Sequence, residues 1–325
     1  MKWLSDDRLD HLRTIAGNPD FSATKYTFVK ELGHGGMGTV YLAQDRELDR
    51  LVALKVLNTP EITEDLRNRM VREAQIIARL EHPGIVPVHD VGVLPDGRVF
   101  YAMKYVRGSR LDEYAAQNSS LRDRLRKFQA VCDAVAFAHA HGVIHRDLKP
   151  QNIMIGSFGE VLVLDWGVAK ILENPSTDCT DFTDQSAKSV KSVDAFYTGA
   201  GTVIGTRDYM SPEQARGEIS QLDERADVYS LGAVLHFLLK DQSRPGKAAA
   251  AICSKARASA KEDRYSTVSD LSADIGRLLD AEPVSAYQEN VVEKVSRWVS
   301  KNRFLVLLVL AYLLMRIFFI FTSRR

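Results

Sequence analysis

Hydrophobic patterning divides the chain into a strand-rich first part and a helix-rich second part. From Tyr26 to about Tyr105, alternating and β-branched runs such as "GTVYLAQD", "LVALKVL" and "RVFYAMKYV" predict strands. One helix interrupts them in "EDLRNRMVREAQIIARL", and Pro83 follows its end. Its predicted apolar stripe consists of Leu66, Met70, Ala74, Ile77 and Ala78.

Helical patterns dominate from Leu111 onward. "LRDRLRKFQAVCDAVAFAHAHG" predicts a long helix that ends at Gly142, and "ADVYSLGAVLHFLL" is apolar nearly all round, as in a central buried helix. We therefore predict an α+β fold with a small β-rich lobe, a larger helical lobe and a ligand crevice between them. A Ser/Thr-rich stretch at 174–206 predicts a long functional or disordered loop.

The end of the chain has a different composition. "FLVLLVLAYLLMRIFFIF", 304–321, contains one charge, and a helix of this length spans about 27 Å, close to a hydrocarbon core. Arg316 costs about 2.5–3.5 kcal/mol at mid-membrane but can snorkel to the interface. The run predicts a transmembrane helix; a buried helix of a soluble protein is the alternative. The preceding cations are Lys294, Arg297, Lys301 and Arg303, and only Arg324 and Arg325 follow.

This charge bias predicts a single-pass protein of the cell membrane whose bulk is cytoplasmic. The N-terminus has no apolar core of a signal peptide. The sequence ends four residues after the run, so we expect no external sensor domain of its own. The expected divisions are an N-terminal extension at 1–25, lobes at 26–106 and 107–282, a juxtamembrane linker at 283–303, the span at 304–321 and a tail at 322–325.

Composition and charge narrow the functional classes. The chain has 325 residues, of which 45% are hydrophobic and 26% charged, and its net charge is +1. This near-balance of charge gives no overall positive field of the kind that attracts nucleic acid, so it does not favour a nucleic-acid-binding protein. Three cysteines without C-x-x-C spacing fit reduced thiols and no zinc site.

A glycine motif, Gly33, Gly35 and Gly38, follows the first predicted strand as G-x-G-x-x-G. A dinucleotide-binding turn requires a helix after the last glycine. Here "TVYLA" predicts a strand, which disfavours a nucleotide-dependent oxidoreductase. The loop therefore joins two strands and could cover the phosphates of ATP. A flexible hairpin without a ligand is the alternative.

A lysine in the next strand strengthens the nucleotide hypothesis. Period two places Leu51, Ala53, Lys55 and Leu57 on one face. A lysine buried among aliphatic side chains needs an anion, such as a phosphate under the glycine loop. A lysine snorkelling at a strand edge is the alternative. Glu73 on the following helix could pair with Lys55, or instead with Arg69 on its own helix surface.

The most specific stretch is "HGVIHRDLKPQNIMI", 141–155, followed by "VLVLDWG". Phosphoryl transfer needs a base, a cation for the γ-phosphate and oxygen ligands for Mg²⁺. We assign Asp147 as the base, Lys149 as the phosphate cation, and Asn152 and Asp165 as metal ligands. Any one of them could be structural, for example Asp147 as a turn cap, but the ordered set favours chemistry.

These motifs resemble those of the eukaryotic-like (Hanks-type) Ser/Thr protein kinases of bacteria, of the membrane-anchored kind. The resemblance covers about 26–282 and includes the glycine loop, "VALKV", "HRDLKPQN", "DWG" and "GTRDYMSPEQ", which has "SPE" in place of A-P-E. It implies the two-lobed kinase fold, the cofactors ATP and Mg²⁺, Ser/Thr residues of proteins as substrates, and a possible homodimer.

The resemblance also implies a set of nucleotide contacts. Met103 would be the gatekeeper, 104–108 the hinge, and three apolar side chains would enclose adenine: Val40, Ala53 and Met154. The full implied set is Leu32, Gly33, Gly35, Gly36, Gly38, Val40, Ala53, Lys55, Glu73, Met103, Tyr105 and Met154.

Structural roles follow from the same resemblance. Glu213 would pair with Arg264, and Asp227 would hold the backbone of the "HRD" turn. Thr206 and Lys149 would favour Ser/Thr over Tyr substrates.

Regulation is implied at the activation segment. Arg146 would receive a phosphorylated residue of that segment, which would order the loop through charge-assisted hydrogen bonds. Thr198 and Thr202 are the candidates, with a merely solubilising role as the alternative.

Some features depart from the family pattern. "DWG" replaces D-F-G, and tryptophan can fill the same apolar position. Lys104 stands where glutamate is frequent. The segment after Leu239 is shortened, which motivates an inactive ATP-binding scaffold as the alternative function. The intact set Lys55, Asp147, Asn152 and Asp165 argues against that alternative.

Overall fold

The computed structural model describes residues 19–35, 38–58, 64–117, 120–166, 170–171, 207–218, 222–240 and 246–322. The predictions for Gly36, Thr198, Thr202 and Thr206 lie outside these residues, as does most of the predicted loop at 174–206. The side chains of Leu66 and Arg69 also lie outside the description.

The first lobe is an antiparallel sheet with one helix packed on it. Its elements are β1 (Tyr26–His34), β2 (Thr39–Asp45), β3 (Arg50–Val56), α1 (Glu64–Arg79), β4 (Val88–Val93) and β5 (Val99–Lys104). The strand order is β1-β2-β3-β5-β4. One apolar cluster includes Val52, Leu54 and Phe100, and a second joins Leu57 to Met70 of α1. The strand and helix predictions for this part are confirmed.

The buried face of α1 differs from the predicted stripe, because Ile76 is also buried and Ala78 is not. Met70, Ala74 and Ile77 are buried as expected, whereas Ala78 is exposed. Glu73 is buried as well, because it turns inward to a polar partner. At 100° per residue, Glu73 and Ala78 lie on opposite sides of Met70 around the helix, so a buried face that includes Glu73 is rotated away from Ala78.

The second lobe is mostly helical. Its elements are β6 (Gly108–Arg110), α2 (Leu111–Gln117), α3 (Leu121–Ala140), β7 (Val143–Ile144), β8 (Ile153–Gly156), β9 (Val161–Val163), β10 (Lys170–Ile171), α4 (Pro212–Ala215), α5 (Arg225–Leu239), α6 (Lys247–Ala256) and α7 (Val268–Leu279). Short 3₁₀ turns lie at Pro150–Asn152, Arg207–Tyr209 and Lys261–Asp263. The central helix α5 has fully buried side chains at Leu231, Val234 and Leu235, which confirms its predicted position.

A shared apolar core joins the two lobes and fixes the base of the crevice. Ile76 and Ile77 of α1 belong to the same cluster as Phe128 of α3. The segment after α1 also pairs with β9, because the Val163 amide donates to the Gly84 carbonyl at 2.8 Å. The strand that ends just before Asp165 is therefore held directly under the first lobe.

Two helices follow the second lobe, α8 (Val291–Lys301) and α9 (Arg303–Thr322). The first forms most of the segment predicted as a juxtamembrane linker. Within the residues that the structure describes, no helix combines the length and apolar character that crossing a bilayer requires.

Candidate active site

Lys55 is the centre of a buried ionic cluster that joins the lobes. Its Nζ donates to Glu73 Oε1 at 2.9 Å and to Asp165 Oδ1 at 2.8 Å. Lys55 is 8% exposed and Glu73 6%. The predicted Lys55–Glu73 pair is confirmed, and the strand-edge alternative for Lys55 is wrong. The cluster thus connects β3, α1 and Asp165, two residues after β9.

Tyr101 supports this cluster from the neighbouring strand. It lies opposite Lys55 in the β3–β5 ladder, and its hydroxyl donates to Glu73 Oε1 at 2.8 Å. Tyr101 is 1% exposed. A buried hydroxyl normally requires a partner, so this bond fixes the Glu73 carboxylate as well as satisfying the phenol. The sequence analysis did not identify Tyr101, although its place in an alternating strand beside the Lys55 strand was a usable signal.

The electrostatics keep the cluster charged. Burial alone would lower the pKa of Lys55, but the surrounding anionic oxygens of Asp165 and Glu73 outweigh it and raise that pKa well above its usual value. Burial would raise the pKa of Asp165, yet the Lys55 ammonium holds it below its usual value. Ammonium and carboxylate are therefore both ionised at neutral pH, ready to meet phosphate and metal respectively.

The segment between β7 and β8 brings together the predicted catalytic residues. Lys149 Nζ donates to Asp147 Oδ2 at 2.7 Å. Asn152 Nδ2 donates to the Asp147 carbonyl at 2.8 Å and to Asp147 Oδ2 at 3.1 Å. The Asn152 carbonyl in turn accepts from the Leu164 amide at 2.8 Å, which ties this segment to the strand before Asp165. The four predicted chemical residues thus lie around one site.

Asp227, at the start of α5, holds the backbone of the turn that precedes Asp147. Its carboxylate accepts from the His145 amide and the Arg146 amide, both at 2.8 Å, and lies 2.8 Å from His139 Nε2. The predicted role of Asp227 is confirmed. Burial would raise its pKa, but these donors, His139 first, hold the pKa below its usual value. Arg146 adopts φ of 69°, a strained conformation that this fixed carboxylate compensates.

Asp165 has a second strained backbone, with φ of 59°. Next to it, Trp166 is fully buried and lies 4.6 Å from the His145 ring. Tryptophan therefore fills the apolar position of the motif, as predicted. Among the described residues its indole N–H has no hydrogen-bond acceptor. The packed indole fixes the backbone from which the Asp165 side chain, 43% exposed, reaches the crevice.

The glycine loop connects β1 and β2, as the sequence predicted. The Gly35 amide donates to the Gly38 carbonyl at 2.9 Å, and Asn58 Nδ2 donates to the Gly35 carbonyl at 3.0 Å. Thr39 Oγ1 donates to Asn58 Oδ1 at 2.7 Å. A Cβ on Gly38 would lie 2.5 Å from the Val56 carbonyl oxygen, so the loop passes too close to β3 for a side chain. Asn58, which anchors the loop from the segment just after β3, was not identified from the sequence.

The predicted adenine contacts lie on elements that border the crevice. Ala53 of β3 pairs with Met103 of β5 in the sheet ladder. Met103 packs against the apolar clusters of both lobes, and Met154 of β8 packs against the helical-lobe core. Val40 pairs with Lys55 in the β2–β3 ladder. Their contact with a nucleotide stays a prediction.

The remaining predicted contacts are less enclosed. Leu32 of β1 is 39% exposed, and Tyr105 directly after β5 is half-buried. Both lie at the ends of strands that border the crevice, where a nucleotide would cover them. Their contact with ATP also stays a prediction.

Glu213 and Arg264 form the predicted buried pair. Arg264 Nη1 donates to Glu213 Oε1 at 2.7 Å, and Nη2 donates to Oε2 at 2.8 Å. Next to this pair, Gln214 Nε2 donates to the Arg146 carbonyl at 2.8 Å. Helix α4 is therefore joined both to Arg264 and to the turn before Asp147. Gln214 was not identified from the sequence.

The donor set fits a phosphate-bound Mg²⁺. This ion is usually held by one or two protein oxygen ligands together with substrate phosphates and water. Asp165 Oδ1 binds Lys55, and Asn152 uses its Nδ2 on Asp147, so Asp165 Oδ2 and the Asn152 amide oxygen are the atoms suited to the metal. Among the described residues, no group of three or more His, Cys, Asp or Glu side chains is placed to hold a metal ion.

Comparison with known proteins agrees with this geometry. The protein kinase domain family matches residues 26–283. The chain belongs to the protein kinase family. This kinase domain is also similar in structure to the PknI kinase domain of Mycobacterium tuberculosis, with a TM-score of 0.56 and 27% identity over 78% of this chain and 96% of that one.

Curated relatives are bacterial Ser/Thr protein kinases. PknD of Protochlamydia amoebophila is 34% identical over 230 residues, which cover 66% of this chain and 23% of the relative. Probable PknB of Lactococcus lactis is 35% identical over 287 residues, which cover 87% of this chain and 40% of the relative. The chain thus spans about a quarter of the PknD relative and two-fifths of the PknB relative, and the similarity to both places it among the Hanks-type bacterial kinases.

Proposed function

We propose that this kinase domain transfers the γ-phosphate of ATP to Ser or Thr hydroxyls of proteins, with Mg²⁺ as the cofactor. The observation that carries the proposal is the ion pair of Lys55 with both Glu73 and Asp165, at 2.9 and 2.8 Å. It joins the nucleotide side of the crevice to the predicted metal ligand. The named bacterial Ser/Thr kinases among the relatives support the same activity.

The chain's own residues would act mainly by position and charge. Lys55, held by Glu73, would bind the inner phosphates under the glycine loop. Asp147 would accept a hydrogen bond from the incoming hydroxyl, orient its oxygen toward the γ-phosphorus and take its proton. Lys149, now 2.7 Å from Asp147, would neutralise charge on the transferred phosphoryl group. Mg²⁺ at Asn152 and Asp165 would supply further charge neutralisation.

The alternative of an inactive scaffold is not favoured. A domain that only binds nucleotide has no need of Asp147, Lys149 and Asn152 in mutual hydrogen-bond contact. The shortened segment after Leu239 does not disrupt the core, because Leu238 and Leu239 at the end of α5 are buried.

Phosphosite mapping tests this proposal on the whole chain. Wild type, Asp147→Asn and Asp49→Asn would be incubated with Mg²⁺ and ATP, and sites located by mass spectrometry. Asp49 is exposed and has φ of 45°, a conformation that asparagine tolerates, so Asp49→Asn is a matched control. We expect phosphoserine and phosphothreonine in wild type and the control, and none in Asp147→Asn. Phosphate on neither this chain nor an added protein substrate would favour the scaffold.

We also propose that autophosphorylation at Thr198 or Thr202 activates the kinase, and that Arg146 binds the resulting phosphate group. Support comes from the position of Arg146, whose backbone is fixed by Asp227 and Gln214 beside the predicted base. The same mapping tests it. Replacement of both threonines by alanine should lower activity toward an added substrate; unchanged activity would contradict the regulatory role.

Finally, we propose that the run at 304–321 anchors the kinase domain to the cell membrane from the cytoplasmic side. Its apolar composition supports this, as do exposed side chains along α9: Phe304, Leu307, Leu308 and Leu314 are each more than 60% exposed. The protein should remain in the membrane pellet after a high-salt wash and be released by detergent. Release by salt alone would contradict the anchor.

A further inference from the structure

Helix α8 is attached to the kinase domain through one polar face. Glu293 accepts hydrogen bonds from Lys247 Nζ at 2.6 Å and from the Tyr287 hydroxyl at 2.9 Å. Arg297, one turn later, lies 2.9 Å from Glu289 Oε2. Residues four apart lie on the same side of a helix, so Glu293, which contacts Lys247 of α6, and Arg297, which contacts the segment just before α8, share the polar face.

The opposite face of α8 is an exposed apolar stripe. Its members, with their exposed fractions, are Val291 (76%), Val292 (79%), Val295 (56%), Trp298 (55%) and Val299 (38%). At 100° per residue these five side chains occupy an arc of about 120°, centred away from Glu293 and Arg297. An exposed stripe of this kind on a helix that is already docked indicates a second contact surface.

Charge identifies what this stripe would contact. Lys294 is exposed and borders the stripe along one edge, and Lys301, exposed on the same side, lies 3.6 Å from Glu282 Oε1. Lysines in this position can run their aliphatic stems along an apolar layer while the ammonium groups meet anionic headgroups. Trp298 is a residue type enriched at membrane–water interfaces. The stripe is small for a stable protein–protein interface, and its basic border is unfavourable to a second copy of itself.

The stripe is also continuous with the next apolar surface. Only Asn302 separates α8 from α9, in which Phe304 is 75% exposed and Leu307 61% exposed. Arg303, exposed at this junction, adds another cation. The α8 stripe and the exposed apolar side chains of α9 are therefore neighbours along the chain.

We propose that α8 lies flat on an anionic lipid bilayer, with its apolar stripe in the boundary between headgroups and acyl chains. The bond between Glu293 and Lys247 of α6 then joins the kinase domain to the other side of the helix. The domain would thus have a fixed orientation to the membrane, instead of being joined to it by a flexible linker. The inference deepens the proposed membrane attachment and rests on it for bringing the chain to a lipid surface.

Depth-dependent fluorescence quenching of Trp298 in the full chain tests the inference. Trp3→Phe would provide the background, because the chain has three tryptophans and Trp166 is fully buried. The probe is a vesicle of phosphatidylcholine and phosphatidylglycerol with bromines at shallow or deep acyl positions. We expect Trp298 emission to shift to the blue and to be quenched about twofold or more by shallow bromines. Adding Trp298→Phe should abolish the quenching.

A charged substitution within the stripe provides a second test. Val295→Asp should remove most of the Trp298 quenching, whereas Val93→Asp should not. Val93 is 52% exposed on β4 in the first lobe, and so matches Val295 in size and exposure. Equal quenching in both variants would overturn the inference, as would quenching by aqueous acrylamide that is the same with and without lipid.

Separate readings distinguish this inference from the proposals on which it rests. If the chain floats with vesicles but Trp298 is not quenched, the anchor stands and the α8 inference fails. If Trp298 shifts with protein concentration and not with lipid, a second copy covers the stripe and the inference fails. Phosphate incorporation, measured on the same samples, reports the kinase proposal independently.

Discussion

Replacing Glu213 by glutamine removes the charge from a buried ion pair while keeping its shape. Glu213 is 6% exposed and Arg264 4%, and the two side chains share hydrogen bonds of 2.7 and 2.8 Å. Arg264 also donates to the carbonyls of Ala258 and Ser259, at 2.8 and 3.2 Å. Its guanidinium is therefore fixed in place and cannot move to solvent when Glu213 loses its charge.

The size of the effect follows from this confinement. Breaking a buried pair by removing one charge costs about 3–5 kcal/mol, because the other charge stays buried without compensation. Glutamine retains one acceptor oxygen and Arg264 keeps its backbone partners, so we expect the lower end, about 3 kcal/mol. For a domain of this size, about 2–4 °C is lost per kcal/mol, which predicts a fall in Tm of about 6–12 °C.

Urea unfolding of the full chain in mild detergent would measure the change, with Glu218→Gln as the matched control. Glu218 accepts two hydrogen bonds from Arg216 at 2.7 and 2.9 Å, but the Arg216 side chain is 58% exposed. Solvent screens an exposed pair and water competes for its hydrogen bonds, so the control should barely change the free energy of unfolding. A Glu213→Gln effect no larger than that of Glu218→Gln would refute the buried-pair reasoning.

The pH dependence of the free energy of unfolding offers an independent check that the Glu213 charge is stabilising. Burial would raise the pKa of Glu213, but Arg264 holds it below its usual value. The stabilisation is therefore fully present above the pKa of an unfolded glutamate, about 4.3, and is lost as pH falls through the lower folded value. The free-energy difference between wild type and Glu213→Gln should be constant near pH 7 and shrink below about pH 4.

Two further substitutions test the nucleotide side of the crevice. Gly38→Ala should raise KM for ATP about tenfold or more, because its Cβ would meet the Val56 carbonyl oxygen at 2.5 Å. The control is Gly246→Ala, just before α6 in the helical lobe, where the added carbon has open space and KM should change little; equal effects would contradict this account. Tyr101→Phe removes the hydroxyl bonded to Glu73 and should cost about 1 kcal/mol in the free energy of unfolding, with kcat reduced less than tenfold. An unchanged stability in urea titration would count against the proposal that Tyr101 supports Glu73.

The ordered chemical residues could be predicted from the sequence because each has a local pattern. Lys55 in an apolar strand requires an anion, and Glu73 on the next helix was the nearest candidate. The contacts of Asp227 with the backbone at His145 and Arg146 join residues more than 80 positions apart. That prediction depended on family resemblance, since neither spacing nor periodicity contains such long-range information.

Other supporting residues required the three-dimensional structure. Tyr101 and Asn58 look like ordinary strand and loop residues, and only the register of the sheet shows that they support Glu73 and the glycine loop. The burial of Glu73 and the exposure of Ala78 also follow from the fold, because Glu73 turns inward to Lys55, a contact that helical periodicity does not show. The docked polar face and the exposed apolar face of α8 are distinguished by the contact of Glu293 with Lys247, which lies far away in the sequence.

The central claim is that the Asp147 carboxylate acts in phosphoryl transfer from ATP to a protein hydroxyl. Its most direct test compares ATP affinity by calorimetry with the rate of labelled phosphate transfer, in wild type and Asp147→Asn. We expect ATP affinity to change less than about twofold while the transfer rate falls about 10²–10⁴-fold. Equal transfer rates in the two proteins, or ATP binding without any transfer by wild type, would contradict the account.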